Sequence, residues 1–165
     1  MLRLPLSLLV ALLIAAGAIL YATAESLPLR VASSFNFAGT AGGFMSRGAY
    51  LAFMAAAIFG ASAIILLACA VLPRLAPRLV NIPAREYWLA PERREETYAS
   101  LAASGALLGC LVTAFLIALH LLVVEANAHQ PPRLDNDILW ALITALAVCV
   151  LAAQFFFWWR FRRPR

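Results

Sequence analysis

Four long apolar stretches, separated by shorter polar ones, make up most of this chain. No formally charged side chain lies within residues 4–24, 49–73, 97–124 or 138–159. Each stretch exceeds the roughly 20 residues that a helix rising about 1.5 Å per residue needs to cross hydrocarbon. They also lack the alternation of membrane barrel strands. The pattern predicts an all-α integral membrane four-helix bundle, two transmembrane hairpins with helices at residues 4–24, 49–72, 99–124 and 138–159.

The polar stretches predict how this single membrane domain, residues 1–165, is connected. They are a first loop outside (25–48), a second loop in the cytoplasm (73–98), a third loop outside (125–137) and a basic cytoplasmic tail (160–165). The first loop is rich in Gly, Ser and Asn, which predicts an ordered but irregular segment. Pro73 and Pro77 are predicted to stop the second helix. Pro91, followed by Glu92, favours a start of the third helix at residue 91.

Composition and charge limit the classes of protein to which the chain can belong. Charged residues make up 13% of the chain and the mean hydropathy is +0.88, which excludes both a soluble fold and a disordered chain. All thirteen cations are Arg. Ten lie in the N-terminus, second loop and tail, so the positive-inside rule predicts that both chain ends lie in the cytoplasm. The net charge of +5 therefore indicates contact with anionic lipid headgroups, at about 1 kcal/mol per Arg, and no nucleic-acid partner.

The N-terminal stretch has an alternative interpretation as a secretory signal. Arg3, an apolar run and the sequence Ala22-Thr23-Ala24 before Glu25 match such a signal with a small-residue cleavage site. The run is longer than the 7–15 residues typical of a signal core. The first helix is therefore predicted to be retained, with cleavage as the alternative.

Small residues recur on three of the predicted helices. Gly105 and Gly109 form a GxxxG pair on the third helix, and Ala56 with Gly60 forms a similar pair on the second. On the fourth helix the recurring positions are Ala141, Ala145, Cys149 and Ala153. Small residues at this spacing let helix backbones approach closely, so we expect contacts within the bundle or between protomers.

Groups that could carry chemistry are scarce, so no enzyme, catalytic residue or cofactor is predicted. Cys69, Cys110 and Cys149 have no metal-binding or redox spacing. His120 is the one polar exception inside a span, and we expect it to hydrogen-bond a neighbouring helix or reach the headgroups. No metal site is predicted. The alternative is an outer-face zinc or copper site built from His120, Glu125 and His129, whose spacing matches no standard motif.

The second loop combines cations, acids and aromatic residues in a short segment. Tyr87 and Trp88 are expected to anchor it at the membrane interface. One interpretation is a solvated, salt-bridged loop. The other is a docking surface for a membrane or cytoplasmic protein partner, because Tyr, Trp and Arg dominate such interfaces.

Two loop sequences resemble the SdpI-like bacterial membrane proteins, which share domain of unknown function 1648. Residues 27–39 read LPLRVASSFNFAG and residues 43–47 read GFMSR, similar to the family element LPxRVxxHFNxxGxPDGWxSK. Residues 81–97, NIPAREYWLAPERREET, are similar to short four-helix members, and the resemblance covers about residues 20–135. The family His falls on Ser34, its Pro-Asp on Ala41 and Gly42, and its Trp on Phe44.

The resemblance implies a function only in outline. The namesake of the family is an immunity protein against a secreted toxin that also sequesters a transcriptional repressor at the membrane. We therefore expect a non-enzymatic, multi-pass protein of a bacterial inner membrane, with an immunity-like role or signal coupling between outer and cytoplasmic loops. The alternatives are an accessory or assembly subunit of a larger membrane complex and an outer-face metal-binding protein. The family-motif and partner candidates are Phe35, Asn36, Gly39, Asn81, Pro83, Arg85, Tyr87, Trp88, Pro91, Arg93 and Arg94.

Overall fold

The structure, a computed structural model, describes residues 3–162. In chain order its elements are α1 (Arg3–Thr23), β1 (Arg30–Phe35), β2 (Ala41–Ser46), α2 (Arg47–Leu66), α3 (Leu72–Leu75), α4 (Arg85–Trp88), α5 (Arg94–Ala128) and α6 (Asn136–Arg162). Short 3₁₀ turns occupy Ala24–Ser26 and Pro77–Leu79. Four helical spans are long and apolar enough to cross a membrane: Arg3–Ser26, Arg47–Leu75, Arg94–Ala128 and Asn136–Arg162. This confirms the prediction of a mostly helical chain with four membrane-length helices.

The helix α5 is the centre of the bundle. It contacts α1, α2 and α6, and it has the most buried residues of any element. The GxxxG pair serves this packing. A Cβ added at Gly105 would overlap the side chain of Cys69, and one at Gly109 would lie 3.0 Å from Leu9 Cδ2. The pair on α2 is not used in this way, because nothing lies within 4 Å of a Cβ added at Gly60.

The helices alternate in direction, so the connections gather at two ends. The hairpin end comprises residues 24–46 and 129–135, and the Arg-rich end comprises residues 67–93 with the start of α1 and the last turn of α6. Eight of the thirteen Arg lie at the Arg-rich end, where α5 also begins, and three lie at the hairpin end when Arg47, the first residue of α2, is counted with it. Arg163 and Arg165 of the predicted tail lie outside the described residues.

The first loop is not irregular, and the fold is not purely α-helical. Strands β1 and β2 pair antiparallel, with Arg30 opposite Ser46 and Ala32 opposite Phe44, and the ladder shifts register on either side of Ser34. The turn between them has Gly39 at φ 75°, where glycine carries no steric penalty. The small residues that predicted an irregular loop therefore form a hairpin.

The second helix passes the proline that was expected to stop it. Beyond Leu66 the chain forms a π-helical segment, Leu67–Val71, in which the N–H of Leu72 bonds the carbonyl of Leu67. Pro73 has no N–H for the Cys69 carbonyl, and its ring would clash with that carbonyl in a regular helix. The wider turn relieves this conflict, and helix continues as α3 to residue 75.

The bounds of the third helix also differ from the prediction. It begins at Arg94 instead of Pro91, because the N–H groups of Arg93 and Arg94 both bond the carbonyl of Ala90 in a turn. It ends at Ala128, beyond the predicted end at residue 124. Its 35 residues give a length of about 52 Å, and the following connection shortens to residues 129–135.

Candidate functional site

The hairpin is fixed to α5 through one asparagine. Asn127 accepts a hydrogen bond from the Ala32 N–H at Oδ1 (2.8 Å), and its Nδ2 donates to the Ala32 carbonyl (3.0 Å). The same nitrogen donates to the Val123 carbonyl one turn earlier (2.9 Å). Val31 and Ala32 are fully buried beneath this contact. A side chain of α5 thus takes the place of a third strand beside β1, which holds the hairpin over the end of the bundle.

The tip of the hairpin is held from the other side by the segment before α6. The Leu134 N–H donates to the Gly39 carbonyl (2.9 Å), and Asn136 Nδ2 donates to the Phe37 carbonyl (2.7 Å). Asn36 closes the turn, since its Oδ1 accepts from the N–H groups of Ala38 and Thr40. These contacts leave the ring of Phe37 94% exposed at the tip.

The family-motif residues of the hairpin shape it. Asn36 and Gly39 form the turn, and Phe35 packs against the core cluster beneath β1. Ser34, where the family has His, is exposed and lies opposite Gly43. Its hydroxyl would be 2.6 Å from a Cβ added at Gly43. A residue at 34 therefore lies over bare backbone on the outer surface of the hairpin.

His120 joins three helices inside the hairpin end of the bundle. It is fully buried. Its Nε2 is hydrogen-bonded to the Thr23 hydroxyl of α1 (2.8 Å), and its Nδ1 to the Tyr50 hydroxyl of α2 (3.0 Å). The Tyr50 ring also stacks on the imidazole, with centroids 5.7 Å apart. His120 therefore bonds neighbouring helices, one of the two outcomes expected, and both ring nitrogens are occupied.

The alternative metal site does not assemble. Glu125 and His129 are exposed, whereas His120 is buried between hydroxyl groups. Within residues 3–162, no group of three or more His, Cys, Asp or Glu side chains is placed to hold an ion. His129 instead borders an open depression with Asp135 and Asp137 on the third connection.

At the Arg-rich end, Trp88 fastens the second loop to α6. Its Nε1 donates to the Phe161 carbonyl (2.9 Å), and the two rings meet edge to face with centroids 5.3 Å apart. The Trp88 carbonyl accepts from the Thr97 hydroxyl of α5 (2.8 Å). Phe161 is buried in a cluster with Tyr98 and Leu101. Trp88 thus ties α4, α5 and α6 together, a contact the sequence did not indicate.

Other charged and aromatic residues of the second loop also pair within the chain. The guanidinium of Arg93 lies 4.0 Å from the centroid of the Tyr87 ring, and that of Arg74 lies 5.3 Å from the centroid of the Tyr98 ring. An exposed ion pair joins Arg160 to Glu96 (3.6 Å), a type of contact that contributes little to stability.

The candidates that remain exposed form a smaller surface than the sequence suggested. Asn81, Arg85, Pro91 and Arg94 are exposed, whereas Pro83, Tyr87, Trp88 and Arg93 are partly buried. The exposed residues Arg85 and Glu86 begin α4 and border an open depression with Tyr87 and Leu89. We call Asn81, Arg85, Glu86, Pro91 and Arg94 the loop surface.

The polar side chains inside the bundle are satisfied within the protein. Ser62 of α2 and Thr113 of α5 are hydrogen-bonded to each other at 2.9 Å, and both are buried. Across residues 3–162, every buried side-chain nitrogen and oxygen has a hydrogen-bond partner. The interior is therefore a packed scaffold, and partner contacts are to be sought on exposed surfaces such as the hairpin and the loop surface.

The fold defines the class as a chain with four membrane-length helices, which suggests a multi-pass membrane protein. No family model, curated protein or solved structure matches the chain.

Proposed function

We propose that this chain is a multi-pass protein of a bacterial inner membrane with both chain ends in the cytoplasm. The distribution of Arg between the two ends of the bundle supports this orientation, because cytoplasmic segments carry the excess of cations. Exposed Trp140 and Trp159 lie near opposite ends of α6, at the depths that interfacial aromatic residues favour. Retention of α1 is supported by its buried Leu9 and Ala16 and by the bond from Thr23 to His120.

Labelling of single cysteines tests this orientation. In a background with Cys69→Ala, Cys110→Ala and Cys149→Ala, one variant carries Phe37→Cys at the hairpin tip and another carries Arg85→Cys on the loop surface. A membrane-impermeant maleimide should label the first in intact cells and the second only after the cells are opened. The reverse pattern would overturn the orientation.

We further propose a non-enzymatic role in which α5 couples the hairpin to the loop surface. The carrying observation is one continuous helix bonded at both ends: Asn127 holds the hairpin, and Thr97 holds the Trp88 carbonyl of the second loop. A ligand that binds the hairpin more tightly in one of two arrangements of α5 would raise the population of that arrangement, and the loop surface would change with it. The resemblance to SdpI-like proteins favours an immunity-like or signalling use of this coupling.

Hydrogen exchange tests the coupling without a known ligand. In lipid nanodiscs, Asn127→Leu should release the hairpin and change the exchange of amides 81–93 at the far end. Glu125→Gln, an exposed position on the same helix, is the matched control and should leave those amides unchanged. If Asn127→Leu speeds exchange in the hairpin alone, the two surfaces are not coupled.

Partner binding is tested on the loop surface by reversing charges. When the protein is purified in mild detergent, a cytoplasmic regulator that co-purifies with the wild type should be lost from the Arg85→Glu and Glu86→Arg variants. Trp88→Ala is unsuitable because it would also release α6. Capture that survives both reversals would exclude the loop surface as the docking site.

An accessory subunit of a membrane complex is the second candidate, and the exposure of α6 favours it. In the structure α6 packs chiefly on α5, and its small residues Ala141, Ala145, Cys149 and Ala153 face away from the bundle. Crosslinking from the exposed Cys149, with recovery of other integral proteins in stoichiometric amounts, would support this role. Recovery of the chain alone would exclude it.

A further inference from the structure

A small apolar cavity opens at the Arg-rich end, between the π-helical segment and α6. Its volume is about 160 Å³. The wall includes Cys69, Leu72, Leu79, Leu101 and Phe157, with Asn81 as a polar residue at one side. Apolar cavities of about 150 Å³ stay dry and bind compact hydrocarbons such as benzene. The cavity therefore has the size and lining to hold a few methylene groups.

The cavity is built into the fold by the irregular end of the second span. The π-helical turn ahead of Pro73 shifts the chain out of regular helical register. After Ala76, at φ −133° and ψ 71°, the chain turns back and buries Val80 and Ile82 in the cluster that contains Phe161. The walls thus belong to packed elements, so the cavity is present without a ligand. π-Helical turns of this kind are frequent at functional sites.

Two exposed cations lie next in sequence to wall residues of the cavity. Arg74 and Arg78 are exposed and belong to the same segment as the wall residues Pro73, Ala76 and Leu79. Leu79 is 67% exposed beside Arg78. Arg74 is held in place by a bond from Nη1 to the Ala70 carbonyl (2.6 Å) and by the Tyr98 ring. An apolar slot in a segment that also carries two exposed cations matches one ligand chemistry, an acyl chain with an anionic headgroup.

The depth of the cavity agrees with that chemistry. Phe157 in its wall and Trp140 near the hairpin end of α6 are separated by about 25 Å of helix. In the orientation proposed above, the cavity then lies at the cytoplasmic edge of a hydrocarbon layer about 30 Å thick. In that orientation Arg74 and Arg78 would lie near the level of the phosphates, where basic pockets between helices bind anionic lipid headgroups.

We propose that this cavity binds one acyl chain of an anionic phospholipid whose phosphate lies against Arg74 and Arg78. The proposal rests on the membrane placement proposed above, which the cysteine labelling tests separately. The lipid occupies the slot from the side of the bilayer, and its headgroup ties the second loop to the membrane surface. The loop surface beyond it would then sense whether the site is filled.

Native mass spectrometry of the full chain in detergent tests the site with two probes, phosphatidylglycerol and phosphatidylcholine of the same acyl chains. The wild-type protein should retain one phosphatidylglycerol in preference to phosphatidylcholine. Ala76→Phe places a ring in the slot and should lower that retention about tenfold, the effect of excluding roughly two buried methylenes. Ala68→Leu, a milder change at the wall, should also lower the retention of phosphatidylglycerol, and it replaces Ala76→Phe as the test if that variant fails to fold.

Charge variants distinguish binding at a defined site from general electrostatic attraction of anionic lipid. Arg78→Gln should weaken the retention of phosphatidylglycerol severalfold, whereas Arg85→Gln, an exposed Arg elsewhere in the second loop, should not change it. Equal losses in both variants, or full retention in folded Ala76→Phe, would overturn the proposal. Equal retention of free oleate and phosphatidylglycerol would overturn the role of the headgroup. Because binding in detergent does not depend on orientation, this result and the labelling result can fail independently.

Discussion

Replacing Gly105 by Ala should destabilise the bundle, because the added methyl group meets the side chain of Cys69 across the interface between α5 and the second span. The overlap falls on the Cβ atom of Cys69 and not on a movable tip, so one backbone must shift. Overpacking of this kind costs about 1–3 kcal/mol. Alanine recovers about 0.5–1 kcal/mol of that as the better helix former. The expected net loss in the free energy of unfolding is about 0–2.5 kcal/mol, centred near 1 kcal/mol.

Gly109 on the same helix provides the matched control. A Cβ there would lie 3.0 Å from Leu9 Cδ2, the end of a side chain that needs to shift only slightly, with no backbone atom in the way. Gly109→Ala should therefore lower the free energy of unfolding by less than Gly105→Ala does.

The assay is reversible unfolding in mixed micelles by addition of a denaturing detergent, followed by circular dichroism. Cys69→Gly removes the opposing Cβ. In a Cys69→Gly background, Gly105→Ala should therefore cost much less stability than it does in the wild-type protein. The coupling energy from this double-mutant cycle should be about 1 kcal/mol or more. If Gly105→Ala and Gly109→Ala behave alike, or Cys69→Gly gives no rescue, the helices do not approach as closely as argued.

Three further substitutions test the polar contacts. Tyr50→Phe removes the hydroxyl bonded to the buried imidazole of α5 and should cost about 0.6–1.7 kcal/mol, the range for such bonds between membrane helices; Tyr21→Phe, at an 86% exposed position, should cost nothing in the same assay. Asn127→Leu should speed exchange of the Ala32 amide, which loses its acceptor, and unchanged exchange would refute the docking of the hairpin. Trp88→Phe keeps a ring but removes the bond to α6, so amides near residue 160 should exchange faster, and an unchanged rate there would show that this bond does not hold the helix end.

The four membrane-length helices were predictable because each is a charge-free apolar stretch, and this property is local in sequence. Element ends were less predictable. Pro73 was expected to stop a helix, yet a π-helical turn placed it at the start of the next helical segment, where a missing N–H costs little. Pro91 was expected to start a helix, but the turn closed by the Ala90 carbonyl delays α5 to Arg94.

The hairpin could not be predicted, because its strands have little intrinsic preference for extended structure. The β2 sequence Ala41-Gly42-Gly43-Phe44-Met45-Ser46 contains two glycines, which weaken a strand. The strand pair is instead stabilised from outside, by Asn127 on one side and by Leu134 and Asn136 on the other. These partners lie about a hundred residues away along the chain, so no local pattern reveals them.

Only the fold shows which candidate residues are bonded within the protein and which remain available to a partner. His120 was recognised from its polarity within an apolar stretch, but its partners Thr23 and Tyr50 are 97 and 70 residues away. Trp88 was selected as a candidate for partner binding, since exposed aromatic residues favour that role. In the fold its N–H and its carbonyl are both committed to other helices. An aromatic residue beside charges in a membrane loop is thus as suited to fastening the loop as to binding a partner.

The hairpin contains residues that form its turn and exposed residues that do not, and this difference bears on the proposed coupling. In the hairpin, Asn36 and Gly39 form the turn, so the resemblance of these two positions to the SdpI-like element is explained by turn formation and requires no ligand. Ser34 is exposed and lies over the backbone of Gly43, so a His or a Ser at this position is compatible with the same hairpin. The side chain exposed at residue 34 can therefore change while the bonds through Asn127, which would carry a signal into α5 under the proposed coupling, stay the same.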